Sequence, residues 1–142
     1  MGKINVGRVL LGGLVAGLVL NIGESLLNGM VLAQQMKTFL GSHNFKDTGG
    51  SFIAVAVGGT FVLGIVVVLL YALIRPRCGA GPKTAIIAAL IAWFGIYLYS
   101  GTINGLLFGI PTNAILLVCG WGLVEYTLGT LVGAALYKEA EA

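Results

Sequence analysis

The chain has 142 residues, 58% of them hydrophobic and only 9% charged, with a mean hydropathy of +1.00. Soluble domains carry about 25% charged residues, so this composition excludes a chain that covers its own surface with polar side chains in water. The formal net charge is +3, but the basic residues form no patch interleaved with aromatics, which excludes a nucleic-acid-binding surface.

A helix needs roughly 20 apolar residues to cross about 30 Å of hydrocarbon. Residues 6–33, 52–74, 84–108 and 113–137 each meet that length. The runs are long and do not alternate polar with apolar, which predicts helices rather than barrel strands. The expected fold is therefore all-α: one integral membrane domain over residues 1–142, a bundle of four transmembrane helices.

In chain order, the first run also carries marks of a secretory signal peptide, with Lys3 and Arg8 ahead of it and Val31-Leu32-Ala33 as a small-residue cleavage site. Its length and its polar Asn21, Glu24 and Asn28 favour a spanning helix instead. Residues 34–50 read as an external loop that includes His43, the single histidine. Arg75-Pro76-Arg77 is expected to close the second helix, and Gly81-Pro82-Lys83 to open the third with Pro82 near position N1. The turn Gly109-Ile110-Pro111-Thr112 is so short that the last two helices form an antiparallel hairpin.

Orientation follows the positive charges. Lys3, Arg8, Arg75, Arg77, Lys83 and Lys138 fall on one side of this topology, Lys37 and Lys46 on the other. That bias places both termini in the cytoplasm, as in a bacterial inner membrane. Membrane lipids are then obligatory partners, with anionic head groups facing the basic end.

Cys78 and Cys119 are separated by roughly half a bilayer, beyond disulfide reach. No Cys or His pair has metal-ligand spacing, so neither a metal nor a cofactor is expected. A Ser/His/Asp set and a phosphate loop are also missing from the sequence, and the chain reads as a non-enzyme.

The informative pattern lies in the small and polar residues within the spans. At 100° per residue, Gly13, Gly17, Asn21, Glu24, Ser25 and Asn28 fall within an arc of about 120°. Gly122, Glu125, Gly129 and Gly133 fall within about 80° on the fourth helix. The pairs Gly13/Gly17 and Gly129/Gly133 are GxxxG patterns that let backbones approach closely. Ala85/Ala89, Ala88/Ala92 and the series Gly101, Gly105, Gly109 offer the same on the third helix. The valine-rich second helix reads as broadly lipid-facing, with close contacts limited to Ser51, Ala54 and Gly58. Tyr71 and Tyr137 read as interfacial anchors, while Trp93 and Trp121 sit near mid-membrane as packing residues.

Glu24 and Glu125 carry the sharpest signal. They lie about nine and about eleven or twelve residues from the outer ends of their helices, so their depths agree within about 5 Å. A charge at the bilayer centre costs at least about 2.5–3.5 kcal/mol. No Lys or Arg lies deep within any span. A proton, hydrogen bonds from Asn21 or Asn28, or a bound cation or water must then stabilise them. Tyr97, Ser100, Thr102, Asn104 and Asn113 lie at similar depth, and together these residues predict a polar outer vestibule above a glycine-packed floor.

The sequence reading is an oligomerising or accessory subunit, associated with copies of itself or with a larger membrane complex. Its rival is a proton- or cation-coupled carrier of small solutes that uses Glu24 and Glu125. The topology is directly testable. Cysteines placed at Ser42 and Glu141 are expected to label from opposite sides of the membrane, with Ser42 external; labelling from one side means the span count is wrong.

Overall fold

The structure is a computed structural model that describes residues 3–43 and 49–140. Lys46, counted above on the outer side, and Glu141 lie outside the described residues. Helix α1 (Val6–Leu26) starts at an Asn5 cap whose side chain accepts the Arg8 N–H at 3.1 Å, and it runs on into a π-helical turn, Leu27–Val31. Helix α2 (Ala33–Ser42) follows, then α3 (Gly49–Cys78). Helix α4 (Pro82–Trp93) opens with its proline in the first turn, passes through a π-helical stretch at Phe94–Gly101, and ends in α5 (Thr102–Leu107). Helix α6 (Thr112–Leu136) completes the chain. Four helical spans, Val6–Val31, Gly49–Cys78, Pro82–Leu107 and Thr112–Leu136, are long and apolar enough to cross a membrane.

Two boundaries differ from expectation. The segment read as an external loop contains α2, an exposed helix with no buried residue. Helix α3 runs through Pro76 to Cys78. A proline so close to the C-terminus removes only one backbone donor, and the chain leaves the helix at Gly79, whose φ of +84° suits glycine and whose N–H caps the Arg75 carbonyl at 2.8 Å.

Helix α1 packs between α3 and α6, α4 also packs on both, and α3 touches α6 across the bundle. Glycine sets these distances. A Cβ on Gly12 would stand 2.5 Å from the Gly133 carbonyl oxygen, and one on Gly133 would stand 2.7 Å from that of Gly12. Gly13 abuts the Ile65 backbone, and a Cβ on Gly17 would meet the Phe61 Cα at 2.8 Å. Their counterpart is Gly64, where a Cβ would lie 2.5 Å from the Gly13 carbonyl oxygen. The close contacts of α3 are thus centred on Phe61, Gly64, Ile65, Val67 and Val68. Ser51, Ala54 and Gly58, expected in that role, are exposed, and Gly58 has open space at its Cβ position. The reason is the crossing point: α1 meets α3 near the middle of α3, so its first turns diverge from the bundle. Gly129 packs less tightly, with Leu20 at 3.1 Å from its Cβ position. Ala85, Ala88 and Ala89 are buried and Gly105 packs against Ile115, whereas Gly101 makes no close interhelical contact and Gly109 serves the turn with φ +68°.

The first and last described residues meet at the glycine-packed end, where the Ala140 N–H bonds to the Lys3 carbonyl at 3.1 Å and Arg75 pairs with Glu139 at 3.2 Å. Tyr71 and Tyr137 are inside this end rather than on its lipid-facing surface. They are 4% and 5% exposed and stack edge to face at 5.9 Å. Ala72, Ala85 and Ala88 leave the room that these rings fill. Tyr71 Oη also accepts the Gly81 N–H at 3.2 Å, and the Arg75 guanidinium sits 5.5 Å from the Tyr137 ring centre.

Overpacking a close backbone crossing costs roughly 1–3 kcal/mol. Gly64→Leu is therefore expected to lower the unfolding midpoint in mild detergent clearly, while Gly58→Leu leaves it near the parent value. Equal midpoints for the two variants would contradict the crossing assigned to α1 and α3.

Candidate functional site

Above the glycine floor, α1 and α6 separate and carry their carboxyl groups on facing surfaces. Glu24 is well held. The Tyr97 hydroxyl donates a short hydrogen bond to its Oε1, and Asn28 Nδ2 donates to its Oε2 at 2.8 Å and to its backbone carbonyl at 3.0 Å. Tyr97 reaches Glu24 because its neighbour on α6 is glycine: a Cβ on Gly122 would collide with the tyrosine ring at 2.6 Å. Edge-to-face contact with Tyr126, at 5.5 Å between centroids, fixes the ring further.

Glu125 is in a different state. It is 5% exposed, and both carboxyl oxygens are buried without a full hydrogen bond to any of the described residues. Trp121, one turn earlier on α6, lies beside it, and its indole N–H, also buried, is the nearest donor without forming a full hydrogen bond. The carboxyl group lies against Gly23, where a Cβ would stand 2.5 Å from Oε2. Because Gly23 directly precedes Glu24, this contact brings the two acidic residues to neighbouring positions on facing helices. They supply at most a few oxygen ligands, too few for a hard cation that requires six or more.

The structure thus brings Asn28, Glu24, Tyr97 and Glu125 to one level of the bundle. It does not gather the remaining predicted polar residues there. Asn21 bonds to the Gly17 carbonyl at 2.8 Å and reaches the Val57 carbonyl at 3.4 Å, tying the first span to the second. Ser25 is exposed. Ser100 and Asn104 are exposed and bond to each other, Nδ2 to carbonyl at 2.8 Å. In a continuous α-helix Tyr97, Ser100 and Asn104 would share a face. The wide turns of Phe94–Gly101 rotate the later two away from Tyr97. Trp93 donates to the Cys119 carbonyl at 2.8 Å, and the Cys119 thiol approaches the Tyr97 carbonyl at 3.6 Å, so this stretch is anchored to α6. Gly23 and Tyr126 were not anticipated; a glycine directly before Glu24 was the available signal.

In place of the predicted polar vestibule there is an apolar cleft of about 550 Å³ between α1 and α6. Val19, Ile22, Gly23 and Leu26 line one side, and Gly120, Trp121, Val124, Glu125 and Leu128 the other. Its rim residues Ile22, Leu26, Val124 and Leu128 are 43–60% exposed and lie within the first and last spans, away from their ends. The cleft therefore opens through the side of the bundle, not at its end.

Compared with known protein families, with curated proteins and with solved structures, the chain matches none.

Interhelical hydrogen bonds inside membranes contribute on the order of 0.6–2 kcal/mol. A double-mutant cycle of Tyr97→Phe with Glu24→Leu is expected to show coupling of that size in unfolding free energy. Strict additivity would mean that the two groups do not interact.

Proposed function

We propose that this chain is a small membrane carrier in which Glu125, with Glu24 beside it, binds a proton and a cationic solute in alternation. The observation that carries this reading is Glu125 itself, buried to 95% on the wall of a cleft, with neither carboxyl oxygen in a full hydrogen bond among the described residues. Carboxyl groups that serve only as hydrogen-bond glue are satisfied within the protein, as Glu24 is by Tyr97 and Asn28. A buried carboxyl group with no ion pair among the described residues is better read as a site that exchanges a proton for a cation. Glu24 tunes it by its charge and anchors the wall through Tyr97. The basic end, with Lys3, Arg8, Arg75, Arg77, Lys83 and Lys138, takes the cytoplasmic side by the distribution of positive charge, consistent with a bacterial inner membrane.

A second reading, the oligomerising or accessory subunit, is favoured by one feature. Residues 51–59 of α3 are exposed along their whole length and include Phe52, Ile53 and Val55. A helix face of this kind fits lipid or a neighbouring chain equally well, so it carries less weight than the orphaned carboxyl group.

The test is solute-dependent proton movement in proteoliposomes that hold an internal pH dye. A low-molecular-mass cell extract is expected to dissipate an imposed pH gradient through the parent and not through Glu125→Gln of equal native mass in detergent. Undiminished flux through that variant, or none through the parent, would leave the accessory-subunit reading standing.

A further inference from the structure

We infer that the cleft between α1 and α6 is a binding site for a lipid-soluble ammonium ion bearing N–H groups, reached sideways from the bilayer. This rests on reading Glu125 as the exchange site, and it adds the ligand class and the route. Three observations converge. The walls are apolar apart from Glu125 and Trp121, so a bare alkali cation would leave water without oxygen ligands to replace it. The volume of about 550 Å³ lies in the ordinary range for small-molecule sites and suits an alkyl or aryl body. Both Glu125 oxygens are buried without a full hydrogen bond among the described residues, so a ligand that reaches them must supply donors as well as positive charge. A primary or secondary ammonium supplies both. A quaternary ammonium supplies only the charge, and a neutral alcohol only a donor.

The route follows from the rim. Ile22 and Leu26, in the later half of the first span, face Val124 and Leu128 of α6 and are exposed on the outer surface of the bundle, inside the spans rather than at their ends. At that depth the surroundings are hydrocarbon, so a ligand arrives already dissolved in the membrane. Gly23 makes the final approach feasible, because any larger side chain would occupy the space that the Glu125 carboxyl group fills. Glu24 is engaged by Tyr97 and Asn28 and contributes long-range attraction only.

Trp121 lines the cleft and reports its occupancy. The full chain in nanodiscs of zwitterionic lipid is titrated with decylammonium while tryptophan emission is followed, with Trp121→Phe as the control for signal origin. A saturable change is expected in the parent, weakened by about tenfold or more in Glu125→Gln and in the cleft-filling Leu128→Phe. Decanol and decyltrimethylammonium are expected to bind about tenfold or more weakly than decylammonium. Equal binding of decanol overturns the charge requirement, and equal binding of decyltrimethylammonium overturns the N–H requirement. Saturation unchanged in both variants overturns the site. If decylammonium fails to bind while Glu125→Gln still abolishes solute-dependent proton flux, the ligand class is wrong and the carrier reading stands. If it binds as expected while no flux occurs in the parent, the site stands and the carrier reading fails.

Discussion

Contact between backbones at glycine is the constraint on which this bundle depends. Gly12 meets Gly133 on one side of α1, and Gly13 and Gly17 meet Gly64 on the other. Inside a bilayer there is little hydrophobic drive to bring helices together, and dispersion at short range replaces it. The closest approach requires that no side chain intervene. Three helices are thereby locked at the end where the first and last described residues meet. Tyr71, Tyr137 and the Arg75–Glu139 pair complete that end.

Everything above the lock is a consequence of helices leaving it at an angle. The first turns of α3 diverge, and α1 and α6 open enough to leave a cleft. Tyr97 bridges the opened half by reaching from the third span, over Gly122, to Glu24 on the first. The same opening places the Glu125 carboxyl group against Gly23 without a full hydrogen bond to any described residue. Two acidic groups on neighbouring helices have thus become different in kind. One is tied into the scaffold and the other lines a cavity, and it is environment rather than residue type that separates them.

Much of this was legible in the sequence. Span lengths, the short final turn, the stripe of Gly13 and Gly17, and the similar depths of Glu24 and Glu125 follow from helical rise and periodicity alone. Less legible features depend on where helices cross. Gly64 sits among valines and isoleucines on a helix that looks lipid-facing all round, and only the position of α1 shows why it is there. Depth alone groups Ser100 and Asn104 with Tyr97, and depth says nothing of direction: the π-helical stretch Phe94–Gly101 leaves the later two exposed while Tyr97 is buried. That Glu24 is hydrogen-bonded and Glu125 lacks a full hydrogen bond among the described residues is a property of three-dimensional neighbours, and no spacing announces it.

The central claim is that molecules dissolved in the bilayer reach Glu125 through the cleft, whereas Glu24, although the less buried of the two, is held by Tyr97 and Asn28. Reaction with dicyclohexylcarbodiimide tests this directly, because the reagent partitions into hydrocarbon and adds covalently to carboxyl groups it can reach there. After treatment of the full chain in nanodiscs, peptide mass spectrometry is predicted to find the adduct on Glu125 and not on Glu24. An adduct on Glu24 with Glu125 unmodified, or no adduct on either, would contradict the account.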